Sequence, residues 1–170
     1  WYDKELCVVG DEFIEFLKET QKETYDTLQK KYKENTNKNI LSRLNKEIDS
    51  KGLIHVLRKG FNDVHGGNIK TIFFQSNSSL NLERRKKYLQ NKFLLVRQLH
   101  YSPNNNNSID IVIFINGIPI LTIELKNQLT GQTVENSDKQ YRFDRDPKGE
   151  PLLKFQRCIC HFSVDNDKVN

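Results

Sequence analysis

Two carboxylates and an amine interrupt strongly apolar segments in the second half of the chain. Asp110 lies in the β-branched run 109–115, and Glu124 and Lys126 interrupt the run that begins at Ile118. A carboxylate among such residues is costly to bury unless it is paired or binds a cation. Neighbouring carboxylates suit a hard cation such as Mg²⁺, which can activate water and stabilise charge on a phosphate. With an amine to position the water, these groups suit phosphodiester hydrolysis.

This pattern has a second interpretation, because short motifs of this kind also arise by chance. Glu124 and Lys126 could form a structural ion pair near a strand end, with Asp110 at a rim. The two-residue period of a strand places Glu124 and Lys126 on one face, together with Ile120 and Thr122. The residues alone leave the metal site and the ion pair both open.

The dipeptide Asn116-Gly117 is typical of a two-residue hairpin turn. Such a turn, followed by regular pairing, would set Ile115 opposite Ile118 and Asp110 opposite Ile123. Residues that face each other across a pair of strands share one face of the sheet. Asp110 would then point away from the second carboxylate, and no shared site could form.

A shared site therefore predicts an irregular hairpin, with either a β-bulge or an odd number of loop residues. A three-residue loop with Gly117 in the left-handed conformation would pair Asp110 with Thr122. We predict this departure from regular pairing. A regular hairpin would contradict the metal-site interpretation.

The elements that must position these residues follow from hydrophobic periodicity and turn residues. Asn81 or Ser79 could cap the helix that contains the basic run Arg84–Lys87. The order of elements predicts an α/β (α+β) fold, with a mixed β-sheet flanked by helices. We expect helical and first sheet elements in 1–92 and a catalytic core in 93–170. Helices are predicted over 11–34, 40–59 (one helix or two, interrupted by Gly52), 79–91 and 133–144, and strands over 69–75, 93–101, 109–115, 118–125 and 155–164.

Composition excludes few classes of function. The chain has 170 residues and a formal net charge of +5, which permits a polyanionic partner without requiring one. It has no apolar run of the roughly 18 residues that a membrane helix needs and no signal-peptide pattern. Cys7, Cys158 and Cys160 are interpreted as free thiols of a cytoplasmic protein. Because residue 1 is not Met, we expect a fragment of a longer chain.

The predicted helix that follows the catalytic strands is rich in groups that could contact DNA phosphates. It contains Gln140, Tyr141, Arg142 and Arg145, and the two arginines lie on one helical face. An ordinary amphipathic surface helix would show the same charge pattern, so this assignment also stays open.

Five segments carry a family resemblance, which covers nearly the whole chain and is dense from 91 to 165. In combination they closely resemble the N-terminal nuclease domain of type I restriction enzyme R subunits. The segments are 97–101 (Arg-Gln-Leu-His-Tyr), 109–127 (Ile-Asp-Ile-Val-Ile-Phe-Ile-Asn-Gly-Ile-Pro-Ile-Leu-Thr-Ile-Glu-Leu-Lys-Asn), 129–135 (Leu-Thr-Gly-Gln-Thr-Val-Glu), 140–147 (Gln-Tyr-Arg-Phe-Asp-Arg-Asp-Pro) and 157–165 (Arg-Cys-Ile-Cys-His-Phe-Ser-Val-Asp).

The resemblance implies a restriction-endonuclease-like fold of the PD-(D/E)xK class. It implies that Asp110 and Glu124 are metal ligands and that Lys126 is the catalytic lysine. Ile109 stands where the class name has Pro. Related nucleases also draw an acid from an early helix, and Glu47 is the candidate here, with an ordinary exposed helix acid as the alternative.

The resemblance also places Gln140 and Tyr141 in the region of the family's Gln-containing motif. The usual spacing is Gln-x-x-x-Tyr, whereas position 144 is Asp144. The expected supporting or DNA-binding residues are therefore Gln140, Tyr141 and Arg142.

The implied function is Mg²⁺-dependent hydrolysis of double-stranded DNA, with Mn²⁺ as a substitute. Full-length members use ATP and S-adenosylmethionine and assemble with modification and specificity subunits. This chain has no Gly-x-x-x-x-Gly-Lys-[Ser/Thr] phosphate loop, so we expect it neither to hydrolyse ATP nor to recognise a DNA sequence. The resemblance implies that both cofactors bind elsewhere in the full-length protein. One alternative is a catalytically silent DNA- or protein-docking module on the same scaffold, and another is a phosphodiesterase that acts on RNA.

Overall fold

The computed structural model describes residues 1–75, 81–127, 133–144 and 149–170, and of residues 142 and 144 only the backbone. The strands are β1 (Tyr2–Asp3), β2 (Val8–Val9), β3 (Phe61–Asp63), β4 (Gly67–Ile69), β5 (Phe93–His100), β6 (Ser108–Ile115), β7 (Ile118–Leu125) and β8 (Cys160–Val164). The α-helices are α1 (Gly10–Thr20), α2 (Lys22–Tyr32), α3 (Thr36–Lys51), α4 (Leu53–Lys59), α5 (Leu82–Leu89) and α6 (Val134–Lys139). Short 3-10 turns span Lys33–Asn35 and Pro151–Leu153, and a π-helical turn spans Gln140–Asp144.

The largest sheet has the strand order β5-β6-β7-β8. Its first three strands are antiparallel, whereas β8 runs parallel to β7. A parallel neighbour requires a crossover connection, and α6 lies in it. The predicted α+β fold with a mixed sheet is confirmed. Among the described residues, no helix is both long enough and apolar enough to span a bilayer.

The predicted helix 11–34 is two helices, because Gln21 leaves the helical conformation with φ −141° and ψ 47°. Its side-chain amide donates to the carbonyl oxygen of Lys70 at 2.8 Å and accepts from the backbone N–H of Lys70 at 2.8 Å. This pairing joins the break between α1 and α2 to the segment after β4. Periodicity could not reveal it, since the partner is 49 residues away.

Two predicted strands are shorter than expected. Of the predicted strand 69–75, only Ile69 lies in a strand, at the end of β4, and Ile72 and Phe73 pack against the helical core without joining a ladder. The last strand begins at Cys160, not at residue 155. In the first region, apolar side chains pack outside a sheet, which alternation cannot distinguish from strand pairing. In the second region, Phe155 at the predicted start is exposed.

The predicted helix ends were partly right. Gly52, at φ 80°, separates α3 from α4 as expected, but α3 begins at Thr36, before the predicted start. The Asn81 side chain accepts from the backbone N–H of Arg84 at 2.9 Å and so caps α5. The alternative cap, Ser79, lies outside the described residues. The predicted helix 133–144 is α6 followed by the π-helical turn.

Two hydrophobic clusters stabilise the fold. The first lies among α1–α4 and the β3–β4 hairpin and includes Ile115 and Ile118 at the β6–β7 turn. The second lies on one face of the large sheet and includes Val112 and Phe114 of β6. The β6–β7 hairpin therefore belongs to both clusters, so the helical layer fixes the turn and the sheet face fixes the strands.

The β6–β7 hairpin has an irregular register. Its turn contains two residues, Asn116 and Gly117, both with positive φ (48° and 76°). Pairing is regular at Ile115–Ile118 and then shifts between Ile113 and Phe114. The predicted departure from regular pairing is confirmed, and the two-residue turn shows that it arises as a bulge and not as a three-residue loop.

Ile120 is the extra residue of this bulge, since Phe114 pairs with Pro119 and Ile113 pairs with Leu121. Its carbonyl oxygen accepts from the backbone N–H of Ile159 at 2.8 Å. Thr122 pairs with Val112, so the predicted pairing of Thr122 with Asp110 was wrong. A bulge shifts the register by one residue without lengthening the turn.

The turn itself is clamped from several sides. Asn116 is buried, and its side-chain amide donates to the carbonyl oxygen of Thr71 at 2.9 Å and accepts from the backbone N–H of Lys92 at 2.8 Å. The carbonyl oxygen of Gly117 accepts from the backbone N–H of Val9 at 2.8 Å. These contacts join the hairpin to β2 and to the segments before β5.

Gly117→Ala is expected to lower the free energy of unfolding far more than Gly67→Ala. Both glycines have positive φ, so each substitution costs about 1 to 2 kcal/mol in backbone strain. A Cβ at Gly117 would also lie 2.3 Å from the carbonyl oxygen of Val9, whereas one at Gly67 meets nothing within 4 Å. The overpacking adds about 1 to 3 kcal/mol at Gly117 alone. Denaturant unfolding measures both values, and equal losses would contradict the clamped turn.

Candidate active site

The bulge brings the two predicted carboxylates to one level of the sheet. Ile111 of β6 pairs with Ile123 of β7. The next residues outward along the two strands, Asp110 and Glu124, therefore lie opposite each other. Across the next pair of strands, Glu124 pairs with Ser163. Both carboxylates therefore lie on the same face, which is the requirement that regular pairing would have violated.

The carboxylate of Asp110 is held at both oxygens. Oδ2 accepts from the backbone N–H of Leu125 at 2.7 Å, and Oδ1 accepts from the side-chain amide of Gln98 at 2.6 Å. The first bond links Asp110 directly to the strand that carries Glu124. Each carboxylate oxygen has a second lone pair, so a cation could still be bound.

Glu124 and Lys126 form a close pair. Lys126 Nζ lies 3.5 Å from Glu124 Oε1, and the two side chains are 7% and 8% exposed. The backbone N–H of Lys126 donates to the carbonyl oxygen of Val164 at 2.8 Å, which holds it beside the end of β8. A buried ammonium and a buried carboxylate require each other when no cation is bound, because an unpaired charge is costly there.

Thr122 lies on the face of Glu124, two residues earlier, and joins β7 to the π-helical turn and to β8. Its hydroxyl lies 3.0 Å from the Tyr141 hydroxyl and 2.7 Å from Nδ1 of His161. The ring centroids of Tyr141 and His161 are 5.4 Å apart. The structure therefore brings Tyr141 next to the strand that carries Glu124 and Lys126.

The other predicted DNA-contacting residues follow the same turn. Gln140 begins it, and its Oε1 is buried and has no hydrogen-bond partner among the described residues. Arg142 lies within the turn, but its side chain is outside the described part of the chain, as is Arg145 altogether. The predicted common face of the two arginines consequently stays a prediction.

Glu47 lies in a different part of the fold. It is on α3, where its carboxylate is 2.7 Å from Lys51 Nζ, and it lines a cleft with Arg43 and Asp63. Burial alone would raise the pKa of Asp63, but hydrogen bonds from two backbone N–H groups and from the Tyr32 hydroxyl outweigh it, so the pKa is lowered. The ion-pair partner of Glu47 is on the same helix, and no contact of Glu47 among the described residues joins it to Asp110 or Glu124. Its role at the metal site remains a prediction.

The donor chemistry of the sheet edge fits a hard cation. Asp110 and Glu124 supply carboxylate oxygens, and Mg²⁺ is commonly held by one or two carboxylates with waters and substrate phosphates. Within the described ranges, no group of three or more His, Cys, Asp or Glu residues could form an all-protein cage. The residues present therefore fit Mg²⁺ or Mn²⁺ shared with a phosphate better than a closed zinc site.

Two of the three cysteines are buried and supply no reactive thiol. All three are free thiols, as predicted, and Cys7 and Cys158 are buried. Burial raises the pKa of both thiols, that of Cys158 to about 12. They therefore stay protonated at neutral pH and behave as small apolar side chains.

Four residues next to the predicted site were not identified as site residues from the sequence: Gln98, Ser108, Thr122 and His161. Gln98 and His161 lie within the segments that carry the family resemblance, but no register was assigned to β5 or β8. The strand period did place Thr122 on the face of Glu124. Assigning all four required the order and register of the sheet.

The fold and the site define an α+β domain whose mixed sheet presents two carboxylates and a lysine near the end of β7. A family model, the type I restriction enzyme R protein N terminus, matches residues 10–169. The chain belongs to this family, which places it among the proteins of type I restriction systems. No curated protein and no solved structure was found to match the chain.

Thr122→Val is expected to lower the free energy of unfolding by about 1 to 2 kcal/mol, because it removes hydrogen bonds from a buried position. Thr122→Ser keeps the hydroxyl that contacts Tyr141 and His161 and serves as the matched control. In denaturant unfolding, the serine variant should lose less stability than the valine variant, and the NMR chemical shifts of the Tyr141 ring should change only in the valine variant. Equal stability of the valine variant and the wild type would contradict the structural role of this hydroxyl.

Proposed function

We propose that this domain is the endonuclease domain of a type I restriction R subunit, with a restriction-endonuclease-like fold of the PD-(D/E)xK class. The reaction is Mg²⁺-dependent hydrolysis of phosphodiester bonds in double-stranded DNA. The observation that carries the proposal is the β-bulge at Ile120, which sets Asp110 level with Glu124 beside the buried Lys126. Family membership and the parallel addition of β8 after α6 support it.

Asp110 and Glu124 would hold the cation between neighbouring strands. When bound, Mg²⁺ supplies charge neutralisation at the phosphate and a water of lowered pKa. Asp110 is already oriented by its two hydrogen bonds, so the carboxylate is not free to rotate when a cation arrives. This preorganisation reduces the cost of assembling the site.

Lys126 would position the attacking water or stabilise charge on the phosphate. Its ammonium lies 3.5 Å from the Glu124 carboxylate, beside the group that would hold the cation. An ammonium held in a buried setting interacts more strongly with a phosphate than one in bulk water, because screening is weaker there. It also repels a cation, so it should contribute to the reaction more than to metal affinity.

The π-helical turn after α6 would form the DNA-facing support of the site. Tyr141 is tied to Thr122, so the position of the turn depends on β7. We propose that Gln140 and Arg142 orient DNA and that Tyr141 supports them. Glu47 is retained as a further acid of the site only if DNA or metal binding brings α3 and the sheet edge together.

The wider context is also a proposal. In the full restriction enzyme, modification and specificity subunits would be the partners, and ATP and S-adenosylmethionine would bind outside this domain. We place the enzyme in the cytoplasm, where its DNA substrate is found.

The alternative function is a catalytically silent DNA- or protein-docking module. The close Glu124–Lys126 pair favours it, because the same contact can be a structural ion pair. A silent module would bind DNA without a cation, and Asp110 would serve only to join β5, β6 and β7.

Lys126→Met is expected to separate metal binding from cleavage. Removal of the ammonium takes a positive charge away from Glu124, so Mn²⁺ affinity should be unchanged or higher. Nicking of supercoiled plasmid in Mn²⁺ should fall by about 10²-fold or more, as when a positioned catalytic group is lost. Calorimetry and a plasmid-nicking assay measure the two effects.

Glu124→Gln is the companion variant, and it should lose both Mn²⁺ binding and nicking. Lys92→Met is the control, since this lysine pairs with Glu15 and Glu19 in the helical layer, away from the site. Nicking by Lys126→Met at the wild-type rate would contradict the proposal. A wild-type domain that binds duplex DNA but neither binds Mn²⁺ nor nicks it would establish the silent module instead.

A further inference from the structure

We propose that Gln98 is a positioning residue that holds the Asp110 carboxylate in the orientation needed for cation binding. This inference rests on the proposed nuclease function, and it concerns a residue of the edge strand β5 that carries no charge. Three features support it: the backbone conformation of Gln98, its level in the sheet and its two side-chain hydrogen bonds.

The sheet register sets Gln98 beside Asp110. Arg97 pairs with Ile111, and Leu99 pairs with Ile109, so Gln98 is level with Asp110. Within β5, all of whose residues are described, Gln98 alone has no ladder partner. The side chain has therefore taken over the contact between the two strands at this level.

Gln98 has a left-handed backbone, with φ 50°. This conformation is uncommon for a residue with a long side chain and is favourable for glycine. A glycine here would satisfy the backbone better, but it would offer no donor to Asp110. The strained backbone is therefore consistent with a requirement for the Gln98 amide, which donates to Asp110.

The two ends of the Gln98 amide have different partners. Nε2 donates to Asp110 Oδ1 at 2.6 Å, and Oε1 accepts from the Ser108 hydroxyl at 3.1 Å. Because a hydroxyl can donate to Oε1 but a carboxylate can only accept, this arrangement directs the NH₂ group to Asp110. Ser108 thus orients Gln98, and Gln98 orients Asp110.

These contacts restrict the carboxylate from both sides. The Leu125 N–H fixes Oδ2 and the Gln98 amide fixes Oδ1, which sets the plane of the carboxylate between β5 and β7. Partners of this kind orient metal ligands, and their loss typically weakens metal affinity about 10- to 100-fold.

Gln98→Gly is the decisive variant, because it removes the amide and relieves the left-handed backbone. Its melting temperature should stay close to that of the wild type, because relief of the left-handed backbone offsets the lost amide hydrogen bonds. Mn²⁺ affinity, measured by calorimetry on the protein alone and with a short DNA duplex, should fall about 10- to 100-fold. The electron paramagnetic resonance spectrum of bound Mn²⁺ should also change, since one of its ligands can reorient.

Gln156→Gly is the matched control. Gln156 is a second glutamine with a left-handed backbone, at φ 64°, and its side chain lies against Gly52 in the helical layer. The substitution is chemically identical and has the same effect on backbone strain. It should leave both the Mn²⁺ affinity and the resonance spectrum unchanged.

The outcomes separate this inference from the proposed function. A loss of affinity in Gln98→Gly, with normal stability and a normal Gln156→Gly control, supports the positioning role. Wild-type Mn²⁺ affinity and an unchanged spectrum in Gln98→Gly would overturn it while leaving the nuclease proposal intact. A wild-type protein that binds no Mn²⁺, alone or with duplex, would overturn both.

Discussion

The extra residue in β7 is the constraint on which the site depends. Side chains of a strand alternate between the two faces of a sheet, so the parity of the register decides whether Asp110 and Glu124 can meet. With a two-residue turn and regular pairing they would lie on opposite faces. Ile120 changes the parity, and its carbonyl oxygen accepts from Ile159 just before β8. The bulge thus aligns the carboxylates and anchors the entry to the parallel strand.

The rest of the fold keeps that register from slipping. The buried side chain of Asn116 and the carbonyl oxygen of Gly117 fix the turn to Lys92, Thr71 and Val9. Near the other end of the strands, the Leu125 N–H is bonded to Asp110. A hairpin that is fixed at both ends cannot exchange its bulge for regular pairing without losing these contacts. Stability of the helical layer and geometry of the site are therefore connected through the same hairpin.

The ion pair between Lys126 and Glu124 has two consequences for the site. The proximity of Lys126 Nζ to Glu124 Oε1 neutralises a buried carboxylate when no cation is present. When a bound cation neutralises Glu124 instead, the Lys126 ammonium would be available to contact the phosphate. A structural ion pair and a catalytic pair are thus different states of one arrangement, and the response of the pair to a cation distinguishes them.

Much of the C-terminal half could be predicted from the sequence, because its strands are apolar, β-branched and separated by a clear turn. The strand period alone shows that Asp110 and Glu124 can share a face only across an irregular hairpin. The position of the bulge could not be derived, since Ile120 differs little in type from its neighbours. The break at Gln21 and the amide of Gln98 depend on partners distant in sequence or on a left-handed backbone, which periodicity does not reveal. For the catalytic roles, the residues alone left an ion pair open, and the family resemblance supplied the preference.

The proposed nuclease function requires that Asp110 and Glu124 jointly bind a divalent cation. The most direct test is Mn²⁺ calorimetry on the wild type and on Asp110→Ala, first alone and then with a short duplex. The nuclease account predicts binding to the wild type that disappears in Asp110→Ala, while circular dichroism shows that the variant remains folded. Binding of equal affinity in a folded Asp110→Ala, or no binding to the wild type in either condition, would contradict it.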